Sequence, residues 1–258
     1  MQRVAVVTGA SSGIGEATAR ELAGAGWHCV VVARRENRLL ALAEEIGGEV
    51  ELCDIGDSAA VEALAARVLE RHPTTHLLVN NAGMPARGTF LDVGLDLVEH
   101  VMRVNYLGGV WCARAFMPGL EAAAREGGAH IVNLVSVAGM VSFAPAGAYA
   151  ASKHAQLAFS RSLSAALRGS GIAVHSVLPG FVETEGFPQK DVLKSRLLRR
   201  FVIEPEDVAR AILRAVEKGK QETVVPWFPY RAVGIAQAVV PGLVGRFAGM
   251  SDYRSDSV

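Results

Sequence analysis

The sequence predicts an α/β fold built on a single doubly wound parallel sheet with helices on both faces. Two observations support this prediction. Short β-branched segments alternate with longer segments of helical periodicity from the amino terminus onward, and such βαβ alternation is typical of parallel strands joined by right-handed helical crossovers. In addition, half of the 258 residues are apolar, so the chain can form one large core, and nothing marks a boundary between two domains.

The predicted elements follow one another at short intervals. Strands rich in β-branched residues are predicted at 4–7, 29–32, 50–53 and 77–79. Helices with an apolar stripe are predicted at 15–25, 36–46 and 58–71. A buried-strand pattern at 129–135 and an apolar-periodic helix at 150–167 come later. We therefore expect about seven strands in the sheet.

Charge and cysteine content exclude several classes of protein. The chain has 26 Lys and Arg against 26 Asp and Glu, with a pI near 7.1, so no overall charge attracts nucleic acid or an anionic membrane. Cys29, Cys53 and Cys112 lie in apolar segments, which favours reduced core thiols, and no metal-ligand spacing is present. The first strand begins too early for a signal peptide, and no apolar stretch reaches the roughly 18 residues of a membrane-spanning helix. These features predict a cytoplasmic protein that acts on small molecules.

A glycine-rich turn, Thr-Gly-Ala-Ser-Ser-Gly-Ile-Gly at residues 8–15, follows the first strand. Its GxxxGxG spacing differs from the GxGxxG of the general dinucleotide fingerprint. Glycines let the backbone approach a pyrophosphate closely, and the N–H groups at the start of the next helix face its charge. The alternative is a plain strand-to-helix turn. Because the turn lies in the first βαβ unit, we expect phosphate contacts from Gly9, Ser11, Ser12, Gly13, Ile14 and Gly15.

The end of the second predicted strand indicates which dinucleotide is bound. An acid at this place binds the 2′-hydroxyl of NAD, whereas an arginine pairs with the 2′-phosphate of NADP. Ala33 occupies the place of the acid, and Arg34 and Arg35 follow it. We therefore predict NADP(H) as the cofactor, with two solvated surface arginines as the alternative. Asp54, after the third strand, either accepts a hydrogen bond from the adenine amino group or caps a helix.

Ser136, Tyr149 and Lys153 form the predicted reactive group. Tyr149 and Lys153 are four residues apart, so they lie on one face of a helix, and a nearby ammonium lowers the pKa of a phenol. Ser136 follows a buried strand, so its hydroxyl emerges at the carboxyl end of the sheet, where such folds bind ligands. A substrate carbonyl would fit between the two hydroxyl groups. A Tyr and a Lys at this spacing also occur by chance, so the pair needs the support of other motifs.

Several motifs together resemble the short-chain dehydrogenase/reductase (SDR) family, and they occur in the family's order. These motifs are the cofactor turn at 8–15, the fourth-strand motif Asn80-Asn81-Ala82-Gly83, the helix asparagine Asn105, the catalytic trio of Ser136, Tyr149 and Lys153, and the nicotinamide-binding segment with Pro179, Gly180 and Thr184. The resemblance covers residues 3–225. Each motif alone would be weak evidence, but their joint order and spacing are specific.

The resemblance implies a Rossmann-type cofactor-binding and catalytic domain over residues 1–225. Tyr149 would be the general acid in ketone reduction and the general base in alcohol oxidation, while Ser136 would polarise the substrate oxygen. Lys153 would lower the pKa of the tyrosine and bind the nicotinamide ribose, and Asn105 would support a water that links this lysine to solvent. Cofactor contacts are then expected, besides Tyr149 and Lys153, from Asn81, Ala82, Gly83, Pro179, Gly180, Val182 and Thr184.

The identity of the substrate is less determined, because fold and catalytic residues define the reaction class alone. Segments 84–90, 137–146 and 181–201 are predicted to line the pocket, the last as a lid. Their apolar side chains include Val141, Phe143, Pro145, Phe181 and Phe187, and their polar ones Arg87, Glu183 and Glu185. We predict a hydrophobic ketone or secondary alcohol, steroid-like or long-chain. The alternative is that these apolar groups pack against one another.

Two other functions remain open. One is the reduction of β-ketoacyl chains on a carrier protein, which needs a basic docking surface for an acidic partner. Arg103 and His130 are the candidates for that surface. The other is a catalytically silent NADP(H) sensor of redox state, and the complete set of Ser136, Tyr149 and Lys153 argues against it.

Residues 226–258 are predicted to form an apolar, helical C-terminal extension that departs from the common family pattern. Helical segments interrupted near Pro241 would place several apolar side chains on one face: Ile235, Ala238, Val239, Leu243, Val244 and Phe247. The extension would cover the pocket, join subunits or touch a membrane from one side. Gln237 and Pro241 argue against a membrane-spanning helix.

The family resemblance also implies a homodimer or homotetramer in which two long helices pair between subunits. In this chain the helices would cover about 106–125 and 149–168. Trp111, Phe116, Phe159 and Leu163 would lie on the contact face or in their own core. A small, lipophilic substrate is expected as the other partner, and no nucleic acid.

Overall fold

Seven parallel strands form the central sheet of the computed structural model, which describes residues 2–89, 91–142, 146–187 and 198–242. In chain order these strands are β1 (Arg3–Thr8), β2 (Trp27–Ala33), β3 (Glu49–Leu52), β4 (Leu77–Asn80), β5 (Ala129–Leu134), β6 (Ile172–Pro179) and β9 (Glu222–Val225). Their order across the sheet is β3-β2-β1-β4-β5-β6-β9. Two shorter strands, β7 (Phe181–Val182) and β8 (Val202–Ile203), pair separately and in parallel.

Helices connect the strands, as the alternating pattern predicts. They are α1 (Gly13–Gly24), α2 (Glu36–Ile46), α3 (Ser58–Arg71), α4 (Leu95–Met102), α5 (Gly108–Ala115), α6 (Met117–Glu126), α7 (Gly147–Ala166), α8 (Pro205–Glu217) and α9 (Tyr230–Val239). The predicted bounds of α2 and α3 coincide with the observed ones. The predicted doubly wound α/β fold with about seven strands is confirmed.

The long helix predicted at 106–125 is not continuous. A π-helical turn (Arg103–Leu107) precedes α5, and α5 ends at Ala115, so that Phe116 separates it from α6. Pro118 lies in the first turn of α6. Because proline has no backbone N–H, it fits the start of a helix but interrupts the hydrogen bonds of a longer one.

Two hydrophobic cores cover the two faces of the sheet. One core joins the sheet to α1, α2 and α8, and the other joins it to α3, α5 and α6. Phe116 is fully buried in the second core, so its predicted alternative on a subunit contact face is wrong. Trp111, Phe159 and Leu163 are half-buried against the same core.

The strand order changes direction between β1 and β4, which are neighbours in the middle of the sheet. The strands that follow β1 are added towards one edge, and those that follow β4 towards the other. Doubly wound sheets bind ligands at such a switch point, beyond the carboxyl ends of the strands. The glycine-rich turn leaves β1 at this edge, and the Asn81 to Gly83 segment leaves β4 beside it. The fold therefore brings together two motifs that are about 70 residues apart in sequence.

A pair of histidines lies between neighbouring strands β5 and β6. His175 Nδ1 lies 2.8 Å from the Lys220 carbonyl oxygen, and His175 Nε2 lies 3.0 Å from His130 Nδ1. Because a carbonyl only accepts, His175 donates from Nδ1 and accepts from His130. Burial lowers the pKa of both imidazoles, that of His130 to about 4 with the help of the neighbouring His175 and Arg3.

We expect the protein to lose stability as the pH falls from about 6.5 to about 4. In this window the unfolded chain binds a proton at His130 that the folded protein excludes, because the folded pKa lies below the ordinary value of 6.5. Each such proton lowers the free energy of unfolding by up to about 1.4 kcal/mol per pH unit. Denaturant unfolding at a series of pH values measures the loss, and His130→Gln should flatten it. An equal loss in the variant would assign the acid sensitivity to other groups.

The described part of the C-terminal extension forms α9, which ends before Pro241 as predicted. Ile235, Ala238 and Val239 lie on an exposed face of this helix. Leu243, Val244 and Phe247 lie outside the described residues. In the part of the chain that the structure describes, no helix combines the length and the apolar character needed to cross a membrane.

Candidate active site

A cavity of about 780 Å³ lies at the carboxyl edge of the sheet. Most of the residues predicted to bind the cofactor or to act in catalysis line it: Gly9, Ser11, Ser12, Gly13, Ile14, Arg34, Arg35, Asp54, Asn81, Ala82, Gly83, Ser136, Tyr149, Lys153, Pro179, Gly180, Val182 and Thr184. The other two predicted site residues, Gly15 and Asn105, are buried and do not line the cavity. The structure therefore brings the sequence motifs to one place.

The glycine-rich turn packs backbone against backbone. Gly9 has a φ of 67°, which favours glycine, and a Cβ on Gly15 would lie 2.4 Å from both the Gly9 oxygen and Asn81 Nδ2. Asn81 Nδ2 donates to the Thr8 oxygen at 2.8 Å, and Thr8 Oγ1 accepts from the Asn81 and Ala82 N–H groups at 3.1 Å each. Asn81 thus joins the ends of β1 and β4.

Arg35 lies over the serines of this turn. Its guanidinium donates to Ser11 Oγ at 3.1 Å and to Ser12 Oγ at 2.6 Å, and it also reaches Glu185 at 3.1 Å. Arg38 donates to the same carboxylate at 2.8 Å. Two arginines therefore share one anionic group beside the turn. Arg38 was not among the predicted site residues, although its place three residues after Arg35 was a usable signal.

Arg34 and Asp54 lie on the exposed rim of the cavity. Their charged groups are 3.6 Å apart, and the side chains of Arg34 and Asp54 are 67% and 45% exposed. Asp54 Oδ1 accepts from the Gly56 N–H at 2.9 Å, while Asp57 caps α3. The alternative role of Asp54 as a helix cap is therefore wrong, and its carboxylate remains at the cavity.

Ser136 and Tyr149 present their hydroxyl groups to the same cavity. Ser136 ends the turn after β5, where its Oγ accepts from the Ala138 N–H at 3.1 Å. Burial raises the pKa of Tyr149 to about 12, although a hydrogen bond donated by Ser136 acts in the opposite direction. The phenol is therefore protonated near neutral pH in this structure.

The hydrogen bonds of the Lys153 amino group go to Leu134 and Gln156. Its ammonium donates to the Leu134 oxygen at 2.9 Å and to Gln156 Oε1 at 2.8 Å, and it lies 5.9 Å from the centre of the Tyr149 ring. Burial lowers the pKa of Lys153 to about 7. The expected lowering of the tyrosine pKa by this lysine is not what the structure shows, because burial of the phenol is the largest influence on this pKa and raises it, and the opposing influence comes from Ser136. Gln156, one helical turn after the lysine, holds its amino group in place and was not among the predicted site residues.

Asn105 holds the loop after β4. It lies in the π-helical turn (Arg103–Leu107), a form that is frequent at functional sites. Its side-chain oxygen accepts from the Met84 N–H at 2.8 Å, and its amide donates to the Met84 oxygen and to Ser152 Oγ at 3.0 Å each. Ser152 in turn donates to the Tyr149 carbonyl at 2.7 Å. Asn105 thus connects the loop to the helix that carries the tyrosine and the lysine.

A buried chain of polar side chains fixes that helix against the sheet. Asn80 Nδ2 donates to Asn133 Oδ1 at 2.9 Å, and Asn133 Nδ2 donates to Ser160 Oγ at 2.9 Å. Ser176 Oγ donates to the same Ser160 hydroxyl at 2.7 Å. These bonds join β4, β5 and β6 to α7. Because each bond is directional, they set the rotation of α7 and so the position of Tyr149.

The segment after β6 closes the cavity from the other side. A Cβ on Gly180 would lie 2.1 Å from the Tyr230 ring, and one on Gly13 would lie 3.0 Å from Thr184. Tyr230 accepts from the Phe181 N–H at 3.3 Å and donates to the Phe201 oxygen at 3.2 Å. The first residue of α9, from the C-terminal extension, therefore forms part of the cavity wall.

The predicted substrate-binding segments are only partly observed. Met84, Arg87, Val137, Phe181 and Phe187 line the cavity. Val141 does not, because it is buried in a small core with Leu157 and Leu178. Phe90, Phe143, Pro145 and residues 188–197 of the predicted lid lie outside the described residues.

Comparison with known proteins identifies the family of this chain. The family model for short chain dehydrogenase matches residues 3–191. The chain is 33% identical over 240 residues to the zebrafish (Danio rerio) dehydrogenase/reductase SDR family member 7B, covering 86% of this chain and 77% of that protein.

Two solved structures have the same fold. One is a short chain dehydrogenase/reductase from Burkholderia phymatum in complex with NAD, with a TM-score of 0.82, 29% identity and 95% of each chain covered. The other is a variant of actinorhodin polyketide ketoreductase with NADPH, with a TM-score of 0.77, 29% identity, and 87% of this chain and 95% of that chain covered. With a family model that spans most of its length, this chain belongs to the short-chain dehydrogenase/reductase family of oxidoreductases.

Proposed function

We propose that this protein is an NADP(H)-dependent oxidoreductase that interconverts a ketone and a secondary alcohol on a hydrophobic substrate. The observation that carries the proposal is that Ser136, Tyr149 and Lys153 share one cavity with the glycine-rich turn and Arg35. The first group suits proton transfer to a carbonyl oxygen, and the second suits a phosphorylated dinucleotide.

The residues of the cavity fit such a cofactor. The turn at Gly9 and Gly15 has no room for side chains, so a pyrophosphate can approach its backbone. Arg35 and Arg38 together hold the Glu185 carboxylate, and guanidinium groups that bind a carboxylate have the geometry to bind a phosphate. We propose that the 2′-phosphate of NADP(H) takes the place of Glu185 at these arginines.

In the proposed reduction, the bound nicotinamide supplies the hydride. Ser136 donates a hydrogen bond to the substrate oxygen, and Tyr149 gives it a proton. The high pKa of Tyr149 keeps the phenol protonated before the reaction, which is the form that reduction requires. Lys153, held by Leu134 and Gln156, lies close enough to return a proton to the site through water.

Apolar side chains support a lipophilic substrate. Met84, Val104, Phe181, Phe187 and Tyr230 all line the cavity, and the ring of Phe187 lies 5.6 Å from that of Tyr149. A ketone that buries hydrocarbon against these groups would gain about 25 cal/mol for each Å² removed from water. Steroid-like and long-chain ketones are therefore the first substrates to test.

The similarity to a polyketide ketoreductase favours one second candidate, the reduction of β-ketoacyl chains on a carrier protein. Of the two basic residues predicted for its docking surface, Arg103 is exposed near the cavity. His130 is wrong for this role, because it is half-buried between strands and bonded to His175. Ketones tested free and attached to a carrier protein would distinguish the two candidates.

Assembly into a homodimer or homotetramer, and a cytoplasmic location, stay predictions. The intact set of Ser136, Tyr149 and Lys153 continues to argue against a silent sensor, and turnover of any ketone would exclude that function.

A fluorescence titration with NADPH and NADH tests the cofactor assignment. We expect the wild type to prefer NADPH, and the double variant Arg34→Ala, Arg35→Ala to lose affinity for NADPH by about 10- to 100-fold. Hydrogen bonds to charged groups contribute about 1.5–3 kcal/mol each, and about 1.4 kcal/mol is a factor of ten. Affinity for NADH should change little.

Arg214→Ala is the matched control, because Arg214 is an exposed arginine on α8. It should bind both cofactors like the wild type. Equal or better binding of NADH by the wild type would show that the arginines are surface charges and that the NADP(H) assignment is wrong.

A further inference from the structure

Two histidines and a glutamate meet at the sheet edge formed by β2 and β3. His28 Nε2 and His72 Nε2 lie 2.9 Å and 2.8 Å from the same oxygen, Glu49 Oε1. The three ligand atoms all lie within 4.8 Å of one another. Among the described residues, this is the group of three His, Cys, Asp or Glu side chains that lie close enough together to hold a metal ion.

The strand register explains the cluster. Val30 pairs with Glu49, so His28, two residues earlier on β2, shares the face of the sheet that Glu49 occupies. Helix α3 covers this face and ends at Arg71, so His72 comes directly after its last turn. The ligands are separated by 21 and 23 residues, which is why no metal-ligand spacing is visible in the sequence.

We propose that His28, Glu49 and His72 bind a Zn²⁺ ion. Two imidazole nitrogens and one carboxylate oxygen with an open fourth position are a known zinc donor set. With metal–ligand bonds of about 2.0–2.2 Å, ligand atoms of a tetrahedral site are about 3.3 Å apart. Each Nε2 atom therefore needs to move about half an ångström away from Glu49 Oε1, and the two Nε2 atoms, which lie within 4.8 Å of each other, need to reach the same separation of about 3.3 Å. Each imidazole carries its proton on Nδ1 when Nε2 binds the metal.

The surroundings suit a cation. Arg71 Nε donates to the other oxygen of Glu49 at 3.1 Å, and a ligating carboxylate is commonly held in this way. The positive charges of two nearby arginines are balanced by Glu49 and Glu51. Arg71 pairs with both carboxylates, and Arg67 pairs with Glu51. The side chains of His28 and His72 are 18% and 19% exposed, so an ion can enter from solvent and water can complete its coordination.

This site is separate from the catalytic cavity, none of whose lining residues belongs to it. It joins β2, β3 and the end of α3. Because the ion would bind the folded protein and not the unfolded chain, it should stabilise the fold by mass action. The proposal therefore does not depend on the proposed enzyme activity.

Equilibrium dialysis of the full-length protein against Zn²⁺ tests the site. We expect one ion per chain and a higher Tm with Zn²⁺. His28→Gln and His72→Gln should each weaken binding by about 10-fold or more, the loss typical even of residues that only support a metal ligand, and should remove the Tm increase. Glutamine keeps an N–H donor for Glu49, so these variants should retain the fold.

His100→Gln is the control for loss of a half-buried histidine elsewhere, and it should bind Zn²⁺ like the wild type. Anomalous diffraction at the zinc edge from wild-type crystals locates the ion without any variant. No uptake by the wild type, uptake that both variants retain, or an anomalous peak away from Glu49 would overturn the proposal.

Discussion

Replacing Tyr149 with phenylalanine should lower the rate of ketone reduction by about 10²- to 10⁴-fold, the usual contribution of a positioned general acid. The variant removes one hydroxyl group and leaves the ring against Phe187. The burial that raises the pKa of this phenol to about 12 keeps a proton on it at neutral pH. Tyr230 is the other described tyrosine that lines the cavity, and its hydroxyl group is hydrogen-bonded to the backbone of Phe181 and Phe201.

Single-turnover reduction with saturating NADPH measures this effect, and a parallel titration shows that the cofactor still binds. Tyr106→Phe is the matched control, because Tyr106 packs against Phe159 with ring centres 6.2 Å apart and lies outside the cavity lining. The control should keep the wild-type rate. A Tyr149→Phe variant that keeps most of the activity would remove the tyrosine from the proposed mechanism.

Adding a single methyl group at Gly15 should damage both stability and cofactor binding. The new Cβ would lie 2.4 Å from the Gly9 carbonyl oxygen, which belongs to the backbone of the glycine-rich turn and cannot rotate away. We expect Gly15→Ala to lower the free energy of unfolding by about 1–3 kcal/mol, as overpacking does. NADPH affinity should fall by about 10-fold or more, because one displaced hydrogen bond to a phosphate of about 1.5 kcal/mol already amounts to that factor.

Gly24→Ala is the control in the same helix. A Cβ there has open space around it, and alanine favours a helix over glycine by up to about 1 kcal/mol. This variant should therefore bind NADPH normally and be as stable as the wild type or more so. Denaturant unfolding and fluorescence titration of both variants give the comparison. Normal NADPH binding by Gly15→Ala would show that the turn tolerates a side chain at this position and does not bind a phosphate of the cofactor.

The sequence predicted what depends on local pattern. The helices at 36–46 and 58–71 have regular apolar stripes, and their bounds agree with the structure. The motif residues line one cavity, as expected because the carboxyl ends of parallel strands share one edge of the sheet. Periodicity and fold class together were therefore sufficient for the architecture, while the roles of the cavity residues stay predictions.

Other features depend on contacts that a linear pattern does not contain. The π-helical turn around Asn105 changes the hydrogen-bond register by one residue, and hydrophobic periodicity does not reveal such a change. Glu185 pairs with Arg38, which is 147 residues away in the sequence. The pKa of Tyr149 was predicted from its neighbour Lys153 alone, whereas desolvation by the folded chain is its largest determinant.

The position of Tyr230 affects how the pocket forms during synthesis of the chain. The residues that line the cavity extend in sequence from Gly9 to Tyr230. The ribosome therefore synthesises the first of them long before the last. Strands β1 and β2 can pair early, because only one helix separates them. The space above Gly180 is filled only when Tyr230 arrives, and contacts between distant segments form late, since a long loop must close first. A nascent chain released before this residue would have most of its sheet but an incomplete pocket.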